Sequence, residues 1–181
     1  MNGREVVVGV CGGVAAYKTA ALVSRLVQGG TSVSVVMTAA AEHFIGPATL
    51  AALTGRPVEC DMFDPRHPLG AHIELAQRGE LLCIAPATAD FLAKAAHGIA
   101  DDLLSTLYLA FEGPVMMAPT MNNAMWQRPV VQRNVEQLRA DGVELVGPDS
   151  GWLSCRVSGT GRMAEADAIF EAIRARLEGR R

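Results

Sequence analysis

Between Gly9 and Lys18 the chain reads GVCGGVAAYK, with three glycines in five residues directly ahead of a helical pattern. A turn of this kind presents backbone N–H groups at the start of a helix, where aligned peptide dipoles favour an anion such as a phosphate. Gly12 and Gly13 are the candidate phosphate ligands. The spacing is not GxGxxG, and no acidic residue ends the second β-prone run to grip a ribose hydroxyl. That run ends instead in Met37 and Thr38, whose hydroxyl could reach a phosphate or the edge of an isoalloxazine ring. The pattern favours a mononucleotide over a dinucleotide. Taken alone, the same glycines could do no more than shape a tight turn.

Further segments combine reactive or ligand-binding residue types. The small residues of APATAD, residues 85–90, would let a flat ring approach the backbone, although Pro86 and Thr88 could equally be a strand exit and a helix cap. In APTMNNAMW, residues 118–126, an amide could hold a carboxylate; Met121, Met125 and Trp126 could also be ordinary core, with Asn122 and Asn123 turning the chain. His72, in GAHIEL, is a candidate general base because imidazole titrates near neutral pH, and His43, His67 and His97 compete with it for that role. No histidine pairs with Cys or Asp at a metal-ligand spacing, so no metal is expected. Cys155 lies in GWLSCRVSGTGRM, a glycine-rich stretch that could fold over a site as a lid, its thiol either reactive or a bystander.

Placing these residues together requires elements that bring strand ends to one side. Residues 5–10, 32–37, 80–85, 114–118 and 143–146 read as strands, the first (EVVVGV) so continuously apolar that burial on both faces is expected. Residues 14–28, 91–96, 103–110, 129–141 and 164–177 read as helices. Gly29 and Gly30 close the first, Pro129 opens the fourth above a face of Val131, Val135 and Leu138, and Arg174 and Arg176 suit the C-terminus of the last. The alternation predicts a single α/β domain over 1–181, Rossmann-like, with a parallel sheet covered by helices on both faces. Ligands of such sheets bind at the carboxyl ends of the strands.

Half of the 181 residues are hydrophobic and 19% are charged, enough apolar material for a real core and too little charge for a disordered chain. Sixteen basic against 19 acidic residues, net −3, exclude a surface built to neutralise nucleic acid. Cys11, Cys60, Cys83 and Cys155 are widely spaced without a CxxC pair and read as cytoplasmic thiols. Residues 6–16 resemble the apolar part of a secretion signal, but Glu5 abuts them and Gly9, Gly12 and Gly13 interrupt them. No apolar run approaches the ~18–20 residues that span a bilayer. A cytoplasmic protein with no membrane and no nucleic-acid partner is expected.

Eight blocks then occur in order across residues 6–165: GGVAAYK, MTAAAEHF, GAHIEL, APATAD, GIADDLLST, PTMNNAMW, GPDSG and GTGRM. Together the chain resembles the flavin-dependent cysteine decarboxylase family, homo-oligomeric flavoproteins that include phosphopantothenoylcysteine decarboxylase and the peptidyl-cysteine decarboxylases of peptide natural products. The resemblance implies a flavodoxin-like fold and an FMN whose phosphate lies near Gly12, Gly13, Val14 and Thr38, with the ring against Ala87, Thr88 and Asp90 and Thr120 close by. His72 matches the family's catalytic histidine, Asn122 the amide that binds the substrate carboxylate, and Cys155 a cysteine in a substrate lid over 149–163. Met121, Trp152, Leu153, Ser154 and Arg156 fall in the segments expected to contact substrate, and trimers or multiples of trimers, up to a dodecamer, are implied. Asp90 stands where many members have Asn, and Cys11 where Ser or Thr is common, which leaves backbone N–H groups to carry more of the phosphate.

The implied chemistry answers what a cysteine carboxylate lacks, an electron sink. Hydride removal from the carbon bearing sulfur gives a thioaldehyde, and loss of carbon dioxide then gives an enethiolate, with His72 assisting proton removal and Asn122 orienting the carboxylate. In the coenzyme A branch a lid cysteine protonates the enethiolate so that hydride can return; peptidyl enzymes release the enethiol. The lid departs from the coenzyme A pattern, reading SCRV at 154–157 where ACGD is typical. The expected function is therefore FMN-dependent oxidative decarboxylation of the C-terminal cysteine of a precursor peptide to an aminoenethiol. Phosphopantothenoylcysteine decarboxylation is the alternative, and a non-catalytic FMN-binding regulatory protein the second alternative, against which intact His72, Asn122 and Cys155 speak.

Overall fold

In the computed structural model, which describes residues 1–179, the elements run β1 (Glu5–Val10), α1 (Ala16–Gln28), β2 (Ser32–Met37), α2 (Pro47–Thr54), α3 (Ala71–Arg78), β3 (Leu81–Ala87), α4 (Ala89–His97), α5 (Leu103–Ala110) and β4 (Val115–Pro119). They continue through α6 (Asn123–Trp126), α7 (Pro129–Ala140), β5 (Glu144–Leu145), β6 (Asp149–Trp152), β7 (Ser158–Arg162) and α8 (Ala166–Glu178). β1 to β5 form one parallel sheet in the order β2-β1-β3-β4-β5, with Val8 of β1 paired to Val35 on one side and to Cys83 on the other. This is the flavodoxin-like order.

Alternation along the strands divides the core, because successive side chains point to opposite faces. Val6, Val8 and Val10 pack with Leu22 and Leu26 of α1 and Ile169 and Ile173 of α8. Val7, Leu82 and Ile84 pack with Leu75 of α3, Phe91 of α4, Leu104 and Leu107 of α5 and Val135 of α7. Each fully buried Leu or Ile side chain stabilises the fold by about 1.5–3 kcal/mol, so the two faces fix the strand register and thereby the strand ends. Connections leave β1 for β2 on one side and reach β3 on the other, which makes the carboxyl ends of β1 and β3 the point where the topology reverses.

The structure adds elements that the sequence pattern did not mark. α2 buries only Leu50, so PATLAALT has no polar-to-apolar alternation; Pro47 at its start and the left-handed Gly55 at its end bound it. α3 and α6 are short, and the stretch read as a glycine-rich lid contains the antiparallel hairpin β6–β7. Its second strand, SGTGR, carries no β-branched residue except Thr160, so strand propensity was silent there. Among the described residues no helix is long and apolar enough to cross a membrane.

Candidate active site

A cavity of about 930 Å³ opens at the carboxyl ends of β1, β3 and β4, beneath the β6–β7 hairpin. The turn after β1 forms its floor. The Cys11 amide donates to the Pro86 carbonyl at 3.3 Å, and burial pushes the Cys11 thiol's pKa up, so the side chain stays a neutral thiol. At Gly12 an added Cβ would stand 2.5 Å from the Ala40 Cβ and 2.7 Å from the Ala40 carbonyl carbon, so only glycine lets the two loops meet. α1 then begins without a side-chain cap, its Ala16 amide donating to Gly13 O and its Lys18 amide to Ala15 O, each at 2.9 Å. Thr38 lines the same cavity, and its Oγ1 is buried with no hydrogen-bond partner. An orphan hydroxyl beside an uncapped helix start fits the phosphate of a mononucleotide.

The adjoining wall comes from β3 and α4. Thr88 caps α4, its Oγ1 accepting from the Phe91 amide at 3.3 Å. Asp90 lines the rim with an exposed carboxylate 3.4 Å from Lys94 Nζ, which also meets Asp101 at 3.0 Å and Asp102 at 3.8 Å. Burial works against the Lys94 charge, but these carboxylates outweigh it and the ammonium's pKa is raised. Ala87 does not line the cavity; it is fully buried in β3.

Over the cavity the hairpin docks on residues 120–123. Met121 N donates to Gly161 O at 2.9 Å and Thr120 Oγ1 to the same carbonyl at 3.2 Å, while Gly159 and Gly161 leave no room for a Cβ against Asn123 and Met121. The Asn122 carboxamide is engaged at both ends. Its Oδ1 accepts from the Ala124 amide at 2.8 Å, capping α6, and its Nδ2 lies 3.2 Å from the Cys155 Sγ. Gly13, Val14, Thr120, Met121, Trp152, Leu153 and Ser154 also line the cavity. Arg156 does not; it occupies the left-handed region (φ 63°) in the turn closed by Leu153 and Val157. That is where the ACGD pattern has its glycine, so the turn keeps a glycine's backbone and bears about 1–2 kcal/mol of strain.

His72 is not brought to the cavity of its own chain. It sits in the first turn of α3, which runs antiparallel to the strands, so it shares the carboxyl end of the sheet but stands aside from the opening. Its ring packs on Gly70 (φ 94°), 3.0 Å from where a Cβ would be, and its Nδ1 is buried without a partner. The loop ahead of α3 is clamped by His67, whose Nδ1 lies 2.7 Å from Glu74 Oε2 of α3 and whose Nε2 lies 3.2 Å from Glu59 Oε2. Arg66 joins Glu59 at 3.1 Å, and the buried Glu59 hangs on β2 through Met37 N to Glu59 O at 2.9 Å.

The hydrogen bond to Glu74 raises the His67 pKa, burial opposes it, and Glu59 adds to the rise, leaving it above the ordinary 6.5. The folded chain therefore holds this proton more tightly than the unfolded one. The clamp contributes fully below pH 6.5 and is lost as pH rises through the folded value. Thermal melts taken from about pH 6 to about pH 9 should show a stability loss that His67→Gln removes; identical profiles for the two proteins would refute the clamp.

Several cavity residues had no role in the sequence reading: Lys18, Lys94, Asp102, Arg162 and Glu165. Lys18 ends the GGVAAYK block and Arg162 stands in GTGRM, so the blocks pointed to these positions without saying what they do. Among the described residues no group of three or more His, Cys, Asp or Glu is placed to hold a metal ion.

The pattern of the family described as Flavoprotein matches residues 1–178. The chain belongs to the Flavoprotein family. Among curated relatives, the coenzyme A biosynthesis bifunctional protein CoaBC of Haemophilus influenzae is 44% identical over 174 residues, 96% of this chain and 44% of the relative. The chain thus spans less than half the length of the curated relatives it matches. Among solved structures, that of the FMN-dependent cysteine decarboxylase SpaF superposes with a TM-score of 0.84 at 38% identity, covering 98% of this chain and 97% of SpaF. A cysteine-to-serine mutant of PPC decarboxylase complexed with pantothenoylaminoethenethiol gives a TM-score of 0.87 at 29% identity, covering 97% and 98%.

Proposed function

We propose that this flavoprotein is an FMN-dependent cysteine decarboxylase acting on a substrate that ends in a cysteine carboxylate. The observation that carries this reading is the Asn122 carboxamide set 3.2 Å from the Cys155 thiol under the hairpin, over a cavity that also contains the unpartnered Thr38 hydroxyl. Gly12, Gly13, Val14 and Thr38 would hold the FMN phosphate, and Thr88, Asp90 and Thr120 line the wall available to its ring. Bound FMN would supply the two-electron acceptor that a cysteine carboxylate lacks. Asn122 would orient the substrate carboxylate, and swinging its amide from Cys155 to substrate would free the thiol as a proton donor.

His72 enters the reading as a residue delivered by a neighbouring copy of the chain. It lies at the same end of the sheet as the cavity yet outside it, which a homo-oligomer, trimeric or built from trimers, would remedy.

Of the two substrate classes, phosphopantothenoylcysteine has the stronger support, because the curated relatives at 44–45% identity are coenzyme A biosynthesis proteins. A C-terminal peptide cysteine is kept as the second reading on the 38% identity to SpaF over nearly the whole chain and on the altered SCRV turn. Incubating the FMN-loaded protein with each substrate and following carbon dioxide and product mass separates them. Phosphopantothenoylcysteine should yield the saturated thiol, and Cys155→Ser should divert the product to the enethiol lacking two hydrogens. Turnover of a Cys-terminated peptide with the same product from wild type and Cys155→Ser would favour the peptide reading, and no carbon dioxide from either substrate would reject the activity.

A further inference from the structure

The charged cluster ahead of α3 lies outside the cavity, yet it adjoins His72. Residue 59 pairs with β2 as one further parallel rung: Glu59 N donates to Val35 O and Met37 N to Glu59 O, each at 2.9 Å. The Glu59 carboxylate, 7% exposed, is thereby fixed to the sheet. Glu74 belongs to the first turn of α3, two residues beyond His72. His67 stands between the two carboxylates, its Nδ1 2.7 Å from Glu74 Oε2 and its Nε2 3.2 Å from Glu59 Oε2.

A second link from His67 to the same turn runs through the backbone. The His67 carbonyl accepts from the Gly70 amide at 2.9 Å, and the Gly70 carbonyl accepts from the Ile73 amide at 3.0 Å and the Glu74 amide at 3.2 Å. Gly70 thus joins His67 to the start of α3 and is also the residue on which the His72 ring packs. Ala71 and Leu75 hold α3 in the core, but apolar burial is non-directional. Among the described residues, the directional side-chain link at this turn is the one from His67 to Glu74.

Four charged groups face His67: Glu59 beside β2, Glu74 on α3, and Asp64 and Arg66 on its own loop. Arg66 pairs with Asp64 at 2.6 Å and with Glu59 at 3.1 Å. Three carboxylates against one guanidinium leave an excess of negative charge that an imidazolium reduces. An imidazolium also donates from both nitrogens, whereas a neutral ring turns a lone pair toward one of the two glutamates. The hydrogen bond to Glu74, opposed by burial and assisted by Glu59, keeps the ring protonated to higher pH than a free imidazole.

We propose that His67 is a positioning residue for His72: its protonated ring ties the first turn of α3 to the β2 edge and so fixes where the His72 imidazole stands. The proposal rests on the decarboxylase reading, in which His72 assists proton removal.

The test compares FMN-loaded wild type with His67→Gln, Glu74→Gln and the double variant. Carbon dioxide release is followed from phosphopantothenoylcysteine or a Cys-terminated peptide, whichever wild type turns over. His67→Gln should lower kcat about tenfold to a hundredfold, the cost of a misplaced base, and leave KM within about twofold. Glu74→Gln should lose less, and adding it to His67→Gln should cost nothing further, because the two residues act as one link. The lead of wild type over His67→Gln should shrink from about pH 6 to about pH 9 as His67 loses its proton, a change that a packing role would not produce. Deuterium exchange at the His72 imidazole C2, read by mass spectrometry, should change at least about twofold in rate in His67→Gln, since that rate follows the ring's pKa and access to solvent.

A kcat within twofold of wild type, a loss confined to KM or to FMN affinity, or additive single variants would overturn the proposal. Should His67→Gln fail to fold, Glu74→Gln gives the same kcat, pH and exchange comparisons. No carbon dioxide from wild type would reject the decarboxylase reading, while unchanged or altered His72 exchange would still decide whether His67 holds that ring.

Discussion

Subunits carrying His72→Asn and subunits carrying Asn122→Asp are each expected to be nearly inactive alone and to regain activity when assembled together. A positioned general base contributes about 10²- to 10⁴-fold, so His72→Asn should lower the rate of carbon dioxide release by that factor. Asn122→Asp keeps the oxygen that caps α6 through the Ala124 amide but turns a carboxylate toward the substrate carboxylate, replacing attraction by repulsion. If the cavity takes Asn122 from one chain and His72 from the next, random mixing in a closed ring leaves about a quarter of the sites with both residues intact. Co-expression with two affinity tags, purification of the mixed oligomer and measurement of carbon dioxide release checks this. A mixed oligomer as inactive as its parents would show that His72 does not serve a neighbour's cavity.

This experiment addresses the feature of the site least legible in the sequence. Strands could be read because their apolar runs are buried on both faces: EVVVGV and SVSVVM became β1 and β2 without displacement, and the strand expected at 80–85 became β3, Leu81–Ala87. Helices were equally readable, α5 to the residue from an almost wholly apolar run and α7 to within one from its apolar face. Elements whose stability comes from docking were not. The β6–β7 hairpin stands because Gly159 and Gly161 let its backbone close on Asn123 and Met121, an interaction between segments that no local periodicity records. The same applies to Lys18, Arg162 and Glu165, which are far apart in order and meet only once β7 folds back over α1. Spacing and residue type placed Gly12, Thr38, Asn122 and Cys155 at element ends facing one cavity. They could not say that His72 would stand outside it, since that depends on where α3 lies against α5.

Replacing Gly12 by alanine should leave a preparation that binds FMN at least about a hundredfold more weakly, because the obstacle is backbone and cannot rotate away. An alanine methyl would meet the Ala40 Cβ at 2.5 Å, its carbonyl carbon at 2.7 Å and its carbonyl oxygen at 2.8 Å, so the turn after β1 or the loop after β2 must move. Either movement separates the turn amides from Thr38. Gly13→Ala provides the contrast, since its methyl would touch only Thr88 Cγ2, at an ordinary 3.6 Å, and Thr120 Cγ2 at 4.0 Å. Thr38→Val separates ligand binding from folding by the opposite sign of its two effects. The buried Thr38 hydroxyl lacks a partner, and such a group costs about 1–3 kcal/mol, so valine should raise the melting temperature of the FMN-free protein. The same substitution removes a donor from the phosphate and should weaken FMN about tenfold, a loss of one hydrogen bond to a charged group. Flavin fluorescence titration and melts of FMN-free protein measure the two effects separately. If Thr38→Val lowered the melting temperature and left FMN affinity intact, the hydroxyl would be a structural group with a partner of its own, and the phosphate would have to lie elsewhere in the cavity.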